Sequence, residues 1–64
     1  MSWKTLNKEL PPYYEYVDVE LVRGNIITVW RAWADEIEMN VYTEADSDEV
    51  YFDEHIERWK KIKK

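Results

Sequence analysis

The stretch "YVDVELVRGNIITVWRAW", residues 16–33, decides the fold of this 64-residue chain. Polar and apolar residues alternate up to Leu21, which is the period-two pattern of a half-buried β-strand. The next turn, Arg23-Gly24-Asn25, contains residues that tolerate positive φ, and a run rich in β-branched and aromatic residues follows it. The pattern therefore predicts a β-hairpin with strands at 16–22 and 26–33.

The second strand of this hairpin has two largely apolar faces. A sheet with one wet face does not need this, so the strand is either covered on both sides or leaves one face for a partner. Trp30 and Trp33 lie three residues apart and point to opposite faces, which places at least one at a rim or a dimer seam; we expect a monomer or a homodimer. The faces carry Ile26, Thr28, Trp30 and Ala32 on one side and Ile27, Val29, Arg31 and Trp33 on the other.

A second turn at Asp35-Glu36 is expected to lead into a third strand over 37–43, antiparallel to the second. In this strand we predict that Ile37, Met39 and Val41 face inward. Outward positions are then expected for Glu36, Glu38, Asn40 and Tyr42.

The remaining chain is less regular. Residues 1–12 form an extended lead-in in which Trp3, Leu6 and Leu10 are expected to dock, and 50–52 is predicted as a strand after a polar loop. The tail supports two interpretations. Phe52, Ile56 and Trp59 have helical spacing with Asp53 as N-cap, whereas 56–59 also fits a short edge strand. The expected fold class is α+β, mainly β: a small antiparallel sheet of three to four strands, with a short C-terminal helix or turn.

Length and composition limit the class of protein. Sixty-four residues make a single domain, 1–64. The chain has no cysteine, which excludes disulfides, thiolate metal sites and a cysteine nucleophile. It has no run long and apolar enough to span a membrane and no signal-peptide h-region, so we expect a cytoplasmic protein without membrane association.

Charge is strongly segregated along the chain. Residues 1–34 have a net charge of zero, 35–57 carry −10 without one lysine or arginine, and 58–64 carry +5. Bases are present a few residues away but are segregated from the acids. This layout favours selection for a negative electrostatic field over an acidic face that only keeps the protein soluble. The basic tail is expected to cap a terminal helix or to fold back over part of the acidic stretch, and direct nucleic-acid binding is not expected.

Catalytic and metal sites are not indicated. The only histidine, His55, has no serine or cysteine partner in a recognisable arrangement, so we expect no enzyme activity. An EF-hand-like spacing fails because Tyr51 stands where a glycine is required, and no metal or other cofactor is expected. The residues in that spacing, at loop positions one, three, nine and twelve, are Asp46, Asp48, Glu54 and Glu57.

Several landmarks along the chain resemble a short phage- and prophage-encoded family of unknown function. They are Trp3, Leu10-Pro11, the pair Val17 and Val19, the aromatic strand around 30–33, and the closing 56–59. The chain differs from that family at Arg58, where the family has His, and at Lys60-Lys61, where it has Met-Pro. The resemblance implies a small β-rich fold and a phage origin, and it implies no activity.

The acidic stretch also resembles, in charge pattern, the small phage proteins that mimic DNA to block restriction or CRISPR machinery. We therefore expect an inhibitor that binds the basic nucleic-acid-binding groove of a host protein, such as a CRISPR effector, in the host cytoplasm, with tyrosines as anchors in a row of carboxylates. The alternative is a structural or oligomerising phage accessory protein whose acidity keeps it soluble. The expected contact residues are Asp35, Glu36, Glu38, Tyr42, Glu44, Asp46, Asp48, Glu49, Tyr51, Asp53, Glu54 and Glu57.

Overall fold

A computed structural model describes residues 3–62, which form one antiparallel sheet and one 3-10 helix. The strands are β1 Tyr16–Leu21, β2 Ile26–Ala34, β3 Met39–Glu44, β4 Val50–Tyr51 and β5 Ile56–Lys61; the 3-10 helix is Asp53–His55. The strand order is β4-β3-β2-β1-β5. The mainly β prediction is confirmed, but the sheet has five strands where three to four were expected, and the fold is nearly all-β where α+β was expected.

The β1–β2 hairpin has the predicted location and pairing. Val17 lies opposite Val29 and Val19 opposite Ile27. Gly24 adopts φ 105°, and its N–H donates to the Leu21 carbonyl at 2.8 Å. Only glycine takes this conformation without strain, so Gly24 of the predicted turn sets the register of the hairpin.

The tail forms an edge strand, which confirms the edge-strand interpretation of 56–59; the helical interpretation of the tail is wrong. β5 lies antiparallel to β1, with Glu20 opposite Arg58 and Leu21 opposite Ile56, so Glu57 is an extra residue in a β-bulge. The bulge brings Ile56 and Trp59, three residues apart, to the same buried side of the sheet. Their helix-like spacing thus arises from a bulged edge strand.

The third strand shows the reverse of the predicted facing. Residues 35–38 form a turn in which the Glu38 N–H donates to the Ala34 carbonyl at 2.7 Å, so β3 starts only at Met39. Pairing places Tyr42 opposite Arg31, whose side chain lies on the core side, and Tyr42 is fully buried. Ile37 and Met39, predicted to face inward, are exposed. The tyrosine is tolerated inside because its hydroxyl finds a partner there.

The core lies on one face of the sheet, beneath two crossing segments. It contains Val17, Val19, Leu21, Val29, Tyr42, Ile56 and Trp59. Residues 4–13 cross this face: Lys4 exchanges backbone hydrogen bonds with Trp59, and the Trp59 indole Nε1 donates to the Glu9 carbonyl at 2.8 Å. Leu6 packs on the core as predicted, whereas Leu10 is exposed and does not.

Candidate interaction surfaces

The acidic stretch is divided by β3 into groups at opposite ends of the sheet. The turn group consists of Asp35, Glu36 and Glu38, just before β3. The loop group consists of Glu44, Asp46, Asp48 and Glu49, at the end of β3 and in the loop that follows. Six strand residues at about 3.3 Å each place the groups about 20 Å apart. The predicted continuous row is therefore corrected, because a turn replaces the first part of the predicted strand.

The loop group is held by local hydrogen bonds. The Ser47 hydroxyl donates to Glu44 Oε1 at 3.2 Å and accepts from the Glu49 N–H at 3.2 Å. The Glu44 N–H donates to the Glu49 carbonyl at 3.0 Å, which closes the base of the loop. These contacts leave Asp46 and Asp48 exposed at the tip. Four carboxylates thus stand within six residues on an ordered loop.

The last three acidic residues of the predicted site lie apart from both groups. Asp53 and Glu54 lie in the 3-10 helix on the core side of β3, and Glu57 is the exposed bulge residue of β5. Asp53 has a structural role: Oδ1 accepts from the Tyr42 hydroxyl at 2.6 Å, and Oδ2 accepts from Asn40 Nδ2 at 3.4 Å. Both carboxylate oxygens of Asp53 are therefore already used in contacts within the protein.

The two tyrosines expected as anchors differ. Tyr42 is fully buried, so its predicted role as a surface anchor is wrong. Burial, and secondarily its bond to Asp53, raises the pKa of Tyr42 well above the usual 10.0. Tyr51 is half-buried, and its hydroxyl donates to Glu49 Oε1 at 2.8 Å, which raises its pKa above 10.0. Only Tyr51 remains beside the loop group.

Among residues 3–62, no lysine or arginine lies within 4 Å of a carboxylate of the acidic stretch, although Arg23 lines a cleft with Glu49. Arg58 pairs with Glu20, and Lys4 lies 3.8 Å from Glu9, both acids outside the stretch. Lys60 instead lies 4.8 Å from the Trp3 ring centroid. The predicted folding of the basic tail over the acids is thus wrong for Arg58 and Lys60; Lys63 and Lys64 lie outside the described residues. Within the stretch, His55 Nε2 lies 3.7 Å from Glu54 Oε2.

His55 has a structural contact. Its Nδ1 accepts a hydrogen bond from the Phe52 N–H at 3.0 Å and so closes the 3-10 helix. It also lines an open surface cleft of about 330 Å³ with Arg23, Glu49 and Tyr51. Within the described residues, no group of three or more His, Asp or Glu side chains is placed to hold a metal ion, and no helix is long and apolar enough to cross a membrane.

Arg31 is a buried cation whose role the sequence did not indicate. Its Nη1 donates to the Pro11 carbonyl at 2.7 Å, and the guanidinium lies 3.9 Å from the Tyr13 ring centroid. Its Nε has no hydrogen-bond partner among residues 3–62. Because the partners come from the crossing segment 4–13, only the tertiary structure reveals that this cation anchors the segment.

The side of the sheet opposite the core is here termed the open face. Trp3 lies over its β5 edge, with the ring centroid 4.8 Å from Arg58 and 4.8 Å from Lys60. Its centre is apolar, as expected from the two apolar faces of β2. Among its side chains, Ile26, Met39 and Val50 are about half exposed, and Trp30 packs against Tyr14 at 5.9 Å. Strand alternation assigns to this face Tyr16, Asp18, Glu20, Ile26, Thr28, Trp30, Ala32, Ala34, Met39, Val41, Thr43, Val50, Arg58 and Lys60.

Comparison with protein-family models, curated proteins and solved structures found no match for this chain. The phage family and the DNA-mimic proteins named above therefore stay at the level of resemblance. Two surfaces remain as candidates for function: the acidic groups at the ends of β3, and the open face.

Proposed function

We propose that the protein is a non-enzymatic inhibitor that binds the basic nucleic-acid-binding groove of another protein and blocks nucleic acid from it. The loop group is the main contact and the turn group the second. From the resemblance to acidic phage proteins, the partner is a host defence complex such as a CRISPR effector. Such binding takes place in the host cytoplasm and requires no cofactor.

The observation that carries this proposal is that no lysine or arginine of residues 3–62 forms an ion pair with an acid of the stretch. Two carboxylates 5 Å apart repel by about 0.8 kcal/mol even at the dielectric constant of water, before salt screening. The loop group keeps four carboxylates within six residues. Arg58 and Lys60 do not relieve their repulsion, because these two bases contact Glu20 and Trp3 instead. A basic groove relieves this repulsion and attracts the protein over a distance of about a Debye length.

The spacing of the groups supports a duplex-like target. Duplex DNA carries one charge per about 1.7 Å of axis, which is two charges per base pair of about 3.4 Å. The distance of about 20 Å along β3 therefore corresponds to about six base pairs. A groove shaped for a duplex can therefore contact the turn and loop groups together. Tyr51, beside the loop group, adds an aromatic contact at that end.

Charge reversal of the loop group tests the proposal. A variant with Glu44→Lys, Asp46→Lys, Asp48→Lys and Glu49→Lys should fold but should lose capture of the partner from host lysate. Partners that the wild type captures at about 50 mM salt should be released at about 500 mM, since the contact is electrostatic. Added protein should also displace DNA from the isolated partner in a filter-binding assay.

An isosteric variant is the matched control. Glu44→Gln, Asp46→Asn, Asp48→Asn and Glu49→Gln keep the loop shape but remove its charge, so capture should again be lost. If both variants capture the same proteins as the wild type, the acids serve solubility. The protein is then better explained as a structural or oligomerising accessory protein.

A further inference from the structure

The open face leaves apolar side chains in contact with water. Ile26 is 58% exposed, Val50 47% and Met39 45%, and all three belong to the face formed by β2, β3 and β4. Trp30 and Val41 lie between them and are half-buried. A contiguous apolar surface of this kind is typical of an interaction site.

The charged side chains of the same face have a net charge of zero, because two acids on β1 lie opposite two bases on β5. Asp18 lies opposite Lys60, and Glu20 opposite Arg58, with Glu20 and Arg58 in direct contact. Residues 3–62 carry fourteen acids and seven bases, hence a net charge of −7, and none of this excess lies on the open face. Two copies that meet at this face therefore bring neutral surface onto neutral surface and keep their acidic groups out of the contact.

The size of the face fits a modest dimer interface. The five strands hold 29 residues, which cover about 460 Å² at about 3.3 Å per residue along a strand and about 4.8 Å between strands. This area is below the about 600 Å² per partner of the smallest stable interfaces and falls in the range of weak, reversible ones. Two such sheets pack face to face in the manner of a β-sandwich, at about 10 Å separation.

From these observations we infer that the protein forms a symmetric homodimer through its open face. A two-fold interface uses the same patch on both copies, so the apolar centre of one copy covers the apolar centre of the other. The dimer provides the second layer that the small single-faced core lacks. This inference goes beyond the proposed function and does not depend on it, because the loop and turn groups lie at the ends of the sheet.

Lysine substitutions on the two sides of the sheet test the inference. Met39→Lys and Val50→Lys place a cation in the interface, and each change occurs twice in a two-fold dimer. Sedimentation equilibrium from about 1 to 500 μM should show a reversible wild-type dimer, with Kd raised at least about 100-fold in each variant. Leu10→Lys is the matched control: Leu10 is 52% exposed in the segment that crosses the core side, and this variant should dimerise as the wild type does.

Salt separates this inference from the proposed function. Partner capture should weaken with salt, whereas the dimer should persist or tighten, because salt screens repulsion between the acidic groups of the two copies. A wild type that stays monomeric at 500 μM overturns the inference and leaves the face to a different partner. A dimer that Met39→Lys and Val50→Lys leave intact also overturns it, since the contact then lies elsewhere. Far-UV circular dichroism of each variant verifies that loss of dimer is not loss of fold.

Discussion

Replacing Tyr42 by phenylalanine removes one hydroxyl from the interior of this small domain. The tyrosine is fully buried in the core, and its hydroxyl donates to the Asp53 carboxylate at 2.6 Å. That bond joins β3 to the 3-10 helix, which the chain uses to cross from β4 to β5. The ring remains after the substitution, so packing is preserved and only the hydrogen bond is lost.

The size of the effect follows from the contact. A hydrogen bond to a charged group contributes about 1.5–3 kcal/mol, and the lower part of that range applies because Asp53 is exposed and water can replace part of the bond. We expect Tyr42→Phe to lower the free energy of unfolding by about 1.5–2 kcal/mol. In a domain of this size such a loss lowers Tm by about 10 °C.

Urea and thermal unfolding followed by tryptophan fluorescence measure this change, and the chain supplies its own control. The Tyr51 hydroxyl also donates to a carboxylate, that of Glu49 at 2.8 Å, but the pair is exposed. Tyr51→Phe should therefore change stability by no more than about 0.5 kcal/mol. Equal effects of the two substitutions would refute the reasoning, because burial is the difference between them.

Two further predictions concern alkaline pH and the hairpin turn. The pKa of Tyr42 is raised only in the folded chain, so the stability it contributes is fully present below pH 10 and is lost as pH rises above it, by up to about 1.4 kcal/mol per pH unit. Urea midpoints between about pH 9 and 11 should fall less steeply for Tyr42→Phe, and identical slopes would contradict this. Gly24→Ala should cost about 1–2 kcal/mol in urea unfolding, because φ is 105° and nothing lies within 4 Å of the added Cβ to compensate. An unchanged midpoint would show that the turn relaxes.

Local chemistry explains why the β1–β2 hairpin could be predicted. Alternation in β1 and a glycine that adopts positive φ act within a few residues, and the observed pairing follows them. The two apolar faces of β2 likewise indicated, before any tertiary contact was known, that this strand is covered on both sides or leaves one face for a partner. Features set by neighbouring residues were therefore accessible from the sequence.

Features set by distant residues were not accessible. The bulge that brings Ile56 and Trp59 to the same side exists only because β5 pairs with β1. In the sequence alone, the three-residue spacing of Ile56 and Trp59 matches one turn of a helix. Tyr42 faces inward because Arg31 lies opposite and Asp53 returns to meet its hydroxyl. The acidic residues were correctly identified as a run without bases. Their division into groups required the turn at 35–38, where Glu38 adopts a positive φ of 55° that glutamate seldom takes.

The pairing of the last strand with the first has a consequence during synthesis on the ribosome. Strands β1 to β4 each find their neighbour as soon as it emerges, but the outer edge of β1 has no partner until residues 56–61 leave the exit tunnel. Until then the nascent chain presents the unpaired N–H and C=O groups of a strand with one apolar face, a template on which other chains aggregate. A chain truncated after β4 should thus give a lower soluble yield than the full chain.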